Sequence, residues 1–352
     1  MKTTNFALGL AIPAASTFGQ AQAALRYGGV NIAGFDFGCD TSGNCVLSEI
    51  APPGANGTHQ IDHFVSEGLN AFRLPVGWQF LVNNNLGGTL DSNNLAQYDG
   101  LVQSCLSVAQ LCIVDIHNYA RYNGAIIGQG GPTNAQFASL WSQLAKKYAS
   151  QPKIAFGVMN EPHDTNIAEW AVSVQAAVTA IRNAGASSQI ILLPGNDYTS
   201  AGSYISDGSA AALSNVTNPN GSTTNLIFDV HKYLDSDNSG THSNCVTNNI
   251  DSAFSPLATY LRQNKRQAFL SETGGGPTDP TCLTNLCQQL EYLQENSDVY
   301  LGYTSWAAGS FATSYTLSET PFGSGTALTD QELVTQCVVG VFTGKYTNGT
   351  GQ

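Results

Sequence analysis

The sequence predicts an α/β fold, a single-domain (β/α)₈ TIM barrel stapled by disulfides. Three observations predict it. Eight short apolar, β-rich runs recur at intervals of roughly 40 residues. Segments with helical period separate most of them, which implies parallel strands with both faces covered. No Pro/Ser/Thr-rich linker or low-complexity tract divides the 352 residues, of which 42% are apolar, enough for one large core. An open doubly wound sheet is the alternative, but the first strand–helix link has no Gly-x-Gly-x-x-Gly turn, which also argues against dinucleotide binding.

The elements follow in order. Strands are predicted at Gly29–Ala33, Ala71–Val76, Cys112–His117, Ile154–Met159, Ile190–Leu193, Leu226–His231, Ala268–Ser271 and Leu301–Ser305. Helices are predicted at His59–Glu67, Leu95–Ala109, Phe137–Tyr148, Ala168–Asn183, Ile250–Asn264, Leu283–Asn296 and Gln331–Val339. Thr133-Asn134 signals one helix start, and Thr329-Asp330 with Glu332 signals another. The link from Tyr198 to Thr224 is weaker and holds one short helix.

The amino terminus reads as a secretory signal over residues 1–23. Lys2 supplies the charge, Phe6 to Ala15 the apolar stretch and Ala21-Gln22-Ala23 the cleavage site, leaving a catalytic domain over 24–352. No later segment reaches the roughly 18 apolar residues that cross a bilayer, so no membrane contact is expected. Net charge is −12, from 25 acidic and 13 basic residues, which repels nucleic acid and leaves a neutral polymer unaffected.

Eight cysteines suit an oxidising compartment, and no zinc pattern contains them. Chain proximity favours Cys39–Cys45 and Cys105–Cys112. In a barrel the last two outer helices are neighbours, which brings Cys287 to Cys337; Cys245 and Cys282, in loops on one rim, remain as the fourth pair. Asn56, Asn215, Asn220 and Asn348 stand in Asn-x-Ser/Thr triplets that accept glycans in a eukaryotic host.

Chemistry in a barrel of this kind sits at the carboxyl ends of its strands. Arg73, Asp115, His117, Asn160, Glu161, Asp229, His231, Tyr233, Glu272 and Trp306 all fall there. Side chains alternate along a strand, so Asp229, His231 and Tyr233 share one direction. Inward polar groups are costly unless they serve each other or a ligand. Glu161 and Glu272 lie three strands apart and face one cavity, as glycosidic hydrolysis requires of its two carboxyl groups. Arg73 would keep one ionised while a drier niche keeps the other protonated. His231 and Tyr233 can hydrogen-bond the pair, Asn160 can reach a sugar hydroxyl, and Trp306 offers a flat face to a sugar ring. Trp78 is read as a further candidate subsite. Asp115 and Asp229 are read as structural, His163 and Asp164 as rim residues, and Trp141 and Trp170 as helix packing.

Val158-Met159-Asn160-Glu161-Pro162 resembles the Asn-Glu-Pro signature of the retaining barrel glycosidases. Phe72-Arg73-Leu74-Pro75, His117-Asn118, His231-Lys232-Tyr233, Ser271-Glu272-Thr273-Gly274 and Ser305-Trp306-Ala307 extend the resemblance to glycoside hydrolase family five. With Gly34-Phe35-Asp36-Phe37-Gly38-Cys39, it points to the fungal endo-β-1,4-glucanases of the endoglucanase II type. The resemblance implies Glu161 as acid/base and Glu272 as nucleophile, with Arg73, His117, Asn160, His231, Tyr233 and Trp306 completing the site. It implies a secreted enzyme acting on β-1,4-glucan by double displacement, without metal or organic cofactor, with β-mannanase or xyloglucanase as the alternative. A monomer is the default expectation. Many fungal relatives carry a cellulose-binding module and linker that this sequence lacks, so tight binding to crystalline cellulose is not expected.

Overall fold

The computed structural model describes Met1 and residues 24–346. The predicted signal segment and Asn348 lie outside the described residues. Eight parallel strands close into a barrel: β1 (Tyr27–Ala33), β2 (Ala71–Val76), β3 (Leu111–Ile116), β4 (Ile154–Gly157), β5 (Ile190–Pro194), β6 (Leu226–His231), β7 (Ala268–Glu272) and β8 (Tyr300–Gly309). Every predicted strand is present, in the predicted order. Each strand pairs with its sequence neighbours, and β8 closes on β1.

Around the barrel run α1 (Gly54–Glu67), α2 (Ser92–Val108), α3 (Asn134–Tyr148), α4 (Ile167–Asn183), α5 (Ser209–Leu213), α6 (Ser255–Asn264) and α7 (Pro280–Glu295). The five residues of α5 are the short helix expected in the weak link. Thr133 caps α3 in a reciprocal capping box with Gln136, which satisfies backbone groups that a helix start leaves open. Trp141 and Trp170 are packing residues, with indole N–H groups donating to the carbonyls of Val158 and Pro194. The two remaining helical segments deviate from regular α geometry. Ile250–Phe254 is a π-helical turn leading into α6, and the last segment is a π-helix, Val334–Val339, running into α8 (Gly340–Phe342). Asp330 does not cap it; its carboxyl group meets His63 Nε2 at 2.7 Å instead.

Of the three buried apolar clusters among the described residues, one lies at the rim around Tyr233 and Trp306 and the other two build the barrel. The larger of these two lies between barrel and helices. The smaller fills the barrel floor with Tyr27, Ala71, Ile113, Ala155, Leu192, Ile227, Phe269 and Leu301, one or more from each strand. Period-two alternation places Arg73, Asp115, Asp229 and Ser271 directly above that floor, because each follows a floor residue by two positions.

All four disulfides form as expected: Cys39–Cys45, Cys105–Cys112, Cys245–Cys282 and Cys287–Cys337. The last two close segments of 37 and 50 residues, so loop entropy assigns each about 4 kcal/mol. One placement differs. Cys282 lies not in a loop but in the first turn of α7, which Pro280 starts earlier than the apolar periodicity suggests.

Glu319 is buried beside β8, and neither carboxyl oxygen has a hydrogen-bond partner. Burial pushes it up to about 8. A carboxyl group raised in the fold favours folding while it stays protonated, and that contribution is lost as pH rises through 8. Stability should therefore fall between pH 5 and 8.5 by on the order of several kcal/mol, and the melting temperature with it. Glu319→Gln should flatten the fall in scanning calorimetry; an unchanged slope would count against this origin.

Candidate active site

The polar layer above the barrel floor is a single network. Arg73 is fully buried and reaches four partners from β2. Its Nη1 donates to Glu272 Oε1 at 2.5 Å and to Asn31 Oδ1 at 3.0 Å. Its Nη2 donates to Asn160 Oδ1 at 2.7 Å and pairs with Asp115 at 3.0 Å. Asp115 also meets His117 Nδ1 at 3.0 Å. Burial opposes the ionised form of Asp115, but Arg73 and His117 outweigh it and hold the carboxyl group below its usual range. Burial would likewise lower His117; the Asp115 hydrogen bond and the charges of Asp36 and Glu272 raise it instead.

Glu161 and Glu272 converge from β4 and β7. One carboxyl oxygen of Glu161, one of Glu272 and one ring nitrogen of His231 all lie within 4.8 Å of one another. His231 Nδ1 stands between the carboxyl groups, 2.7 Å from Glu161 and 3.5 Å from Glu272. Tyr233 donates its hydroxyl to Glu272 Oε2 at 2.8 Å. The two carboxyl groups differ in surroundings. Glu272 rests on a guanidinium, whereas burial pushes Glu161 up to about 7 against the attraction of His117, Arg73 and His163. Glu161 adopts φ 41°, a left-handed conformation that costs a residue other than glycine about 1–3 kcal/mol. The backbone N–H of Asn160, donating to Ile116 at 2.7 Å, helps to hold it there.

A register shift aims Glu272. Phe269 and Ser271 point into the barrel, so strict alternation would turn Glu272 outward. Between β6 and β7 the pairing moves from Val230 with Leu270 to His231 with Glu272, leaving Ser271 as the extra residue. The bulge therefore lets Ser271 and Glu272 both face the site. Nothing in the amino-acid order signals it.

Trp306 forms one wall, stacked on His117 at 5.5 Å and donating its indole N–H to Tyr315 at 3.3 Å. Its peptide bond to Ala307 is cis. Tyr233 is backed by the loop after β6. Asp235 gathers the backbone N–H groups of Gly240, Thr241 and His242, and a Cβ on Gly240 would fall 2.6 Å from the Tyr233 ring. Only glycine fits there.

Arg73, His117, Asn160, Glu161, His231, Tyr233, Glu272 and Trp306 are thus brought together. Trp78 is not. Its side chain is 1% exposed, packed on Tyr122 and Phe137, so it cannot be a sugar platform. The residue sits in a helical turn, Trp78–Leu81, that folds back under the rim. Sequence reasoning missed Asn31 and undervalued Asp115, although a polar residue inside an apolar run was a visible signal for both. It also missed Tyr198, 43% exposed and stacked on His163 at 4.5 Å, whose left-handed loop has no periodicity to reveal it.

The donor set does not fit a resident cation. Arg73, Tyr233 and His231 already engage Glu272 Oε1, Glu272 Oε2 and Glu161 Oε1, and Arg73 supplies positive charge. Asp235, Asp237 and His242 also converge, but Asp235 is saturated by its own loop.

The model of the cellulase family, glycosyl hydrolase family 5, matches residues 30–309, from within β1 to the end of β8. The chain belongs to glycosyl hydrolase family 5. This family 5 chain is 67% identical over 324 residues to endoglucanase EG-II of Hypocrea jecorina, covering 89% of this chain and 77% of that protein. It is 47% identical over 304 residues to the manganese dependent endoglucanase Eg5A of Phanerodontia chrysosporium, covering 85% and 76%. The crystal structure of Cel5A (EG2) from Hypocrea jecorina (Trichoderma reesei) superposes with a TM-score of 0.88 at 66% identity, covering 90% of this chain and 99% of that one. Among the described residues of this family 5 cellulase, no helix is long and apolar enough to cross a membrane.

Proposed function

We propose that this family 5 enzyme is a secreted, retaining endo-β-1,4-glucanase with Glu272 as nucleophile and Glu161 as acid/base. The observation that carries the reading is that one carboxyl oxygen of Glu161 and one of Glu272 lie less than 4.8 Å apart. Retaining pairs stand about 5–5.5 Å apart, whereas inverting pairs leave about 6.5–9.5 Å for water. Glu272 Oε attacks the anomeric carbon as Glu161 protonates the departing glycosidic oxygen. The resulting glycosyl ester is then opened by water, which Glu161, now a carboxylate, deprotonates. Arg73 and Tyr233 position the nucleophile, Asn160 has a buried Nδ2 without a partner that a sugar hydroxyl can use, and Trp306 forms the sugar-facing wall beside His117.

The glucan substrate is inferred from the relatives, which are called endoglucanases. A signal peptide cleaved near Ala24 would deliver the chain to the compartment where its four disulfides form. A metal ion has no step in this reaction. The protein is taken to act as a monomer, on a neutral polymer that its negative charge does not repel.

Hydrolysis of carboxymethylcellulose, mannan and xyloglucan by the purified protein tests the substrate, and proton NMR of the first product tests the stereochemistry. Carboxymethylcellulose should be cleaved fastest, with the β-anomer appearing first and the rate unchanged in EDTA. Preference for mannan or xyloglucan would move the enzyme to the sister specificity. A first-formed α-anomer would end the double-displacement reading.

A further inference from the structure

Glu161 does not end its hydrogen-bond chain at His231. His231 Nδ1 lies 2.7 Å from Glu161 Oε1, its Nε2 lies 2.8 Å from Ser271 Oγ, and Ser271 Oγ lies 2.5 Å from Asp229 Oδ1. Asp229 is fully buried, and its other oxygen has no hydrogen-bond partner. An ionised carboxylate with one oxygen bare in the barrel is costly; a neutral acid is much less so.

Each link carries one hydrogen, so the two ends decide which way the chain points. A neutral imidazole donates from one nitrogen and accepts at the other. If Asp229 is ionised, Ser271 donates to it, His231 Nε2–H donates to Ser271, and a bare Nδ1 faces Glu161. That arrangement suits Glu161 only while its own proton sits on Oε1, pointed at His231. If Asp229 is protonated, Asp229 Oδ1–H donates to Ser271, the Ser271 hydroxyl donates to His231 Nε2, and His231 Nδ1–H donates to Glu161 Oε1. This second polarity leaves the proton of Glu161 on Oε2 when it acts as an acid, and supports the carboxylate when it acts as a base.

We propose that Asp229, as a neutral carboxylic acid acting through Ser271, is a positioning residue that fixes the His231 tautomer needed by Glu161 in both of its catalytic states. The proposal rests on the reading of Glu161 as acid/base. No proton crosses the chain during turnover; loss of the Asp229 proton reverses its polarity. Burial pushes Asp229 up to about 7, opposed by Arg73 and the Ser271 hydrogen bond, and burial holds His231 down to about 3, so the ring stays neutral. The other groups facing Asp229 are Asp115, Glu272 and Tyr204. Those facing Glu161 are His117, His163, Arg73, Asp115, Tyr119, Tyr198 and Tyr233.

The tautomer is read directly by NMR of protein with ¹⁵N-labelled histidine, with the His231 signals assigned by their loss in His231→Asn. In Glu161→Gln protein, whose amide can accept from Nδ1–H or donate to Nδ1 at any pH, the Nδ1–H form should dominate at pH 5 and give way to Nε2–H as pH rises through about 7. Asp229→Asn, neutral and of the same shape, should hold Nδ1–H up to pH 9. Ser271→Ala should uncouple the ring from Asp229, so its tautomer no longer changes near pH 7. In kinetics, the alkaline fall of log kcat/KM should be two-proton in the parent and one-proton in Asp229→Asn, each normalised to its acid plateau. An Nε2–H ring at pH 5, or an Asp229→Asn protein titrating like the parent, would overturn the proposal. The NMR result does not depend on the role of Glu161. A normal tautomer switch with activity surviving Glu161→Ala would therefore sink only the acid/base assignment.

Discussion

Glu272→Ala should lower kcat on soluble β-1,4-glucan by about 10⁴–10⁶-fold, because no other group can form the covalent intermediate. The nearest candidate, Glu161, sits across the cleft with its Oε1 engaged by His231. The substitution also leaves Arg73 buried with one fewer counter-charge, which costs about 3–5 kcal/mol when a buried pair is broken. A melting curve must therefore accompany the kinetics, and Glu272→Gln serves as the variant that retains size and a hydrogen-bond acceptor. Added azide should occupy the space left by the missing carboxylate and attack the anomeric carbon directly, giving an α-glycosyl azide. A folded Glu272→Ala protein keeping more than about a hundredth of the parent kcat would remove Glu272 from the nucleophile role.

Glu161→Ala should behave differently. General acid catalysis is worth about 10²–10⁴-fold, so turnover of the polymer should fall by that factor. The first step on an aryl cellobioside with a good leaving group should be far less affected, because that leaving group departs without a proton. The glycosyl-enzyme then accumulates for want of a base, and azide should release it as a β-glycosyl azide. The pH dependence also changes. Glu161, raised to about 7 by burial, is protonated below that pH and donates; as pH rises through 7 the acid is lost and the parent rate falls. Without Glu161 the fall attributable to this group should disappear from the profile. Equal losses on polymer and activated substrate would show that Glu161 is not the proton donor.

The opposite anomers expected of the two azide adducts test the reading as a pair. One replaces the nucleophile and the other replaces the water, so a single experiment with both variants distinguishes their roles without reference to relatives.

Much of this molecule is legible from its amino-acid order. The barrel follows from eight apolar runs too short for helices, separated by segments with helical period, because parallel strands must bury both faces. The eight site residues follow from polar groups placed at the ends of those runs; two disulfides follow from proximity along the chain, Cys287–Cys337 from the neighbouring last helices of a closed barrel, and Cys245–Cys282 as the remaining pair. Trp78 shows the limit. Its position after β2 suggested a platform, but whether an aromatic ring faces solvent or core depends on how the following turn folds back, here onto Tyr122 and Phe137. Asp229 shows another. Read alone it is a structural aspartate; only the approach of Ser271 from β7 connects it to Glu161.

The sequence by itself determined the architecture and the eight polar and aromatic residues that converge in the site, since both depend on local periodicity and residue type. Tertiary structure decided the direction in which Glu272 points, through a one-residue bulge, and the surroundings that separate the two glutamates. Those are set by contacts between residues up to 199 positions apart, and no local pattern encodes such distances.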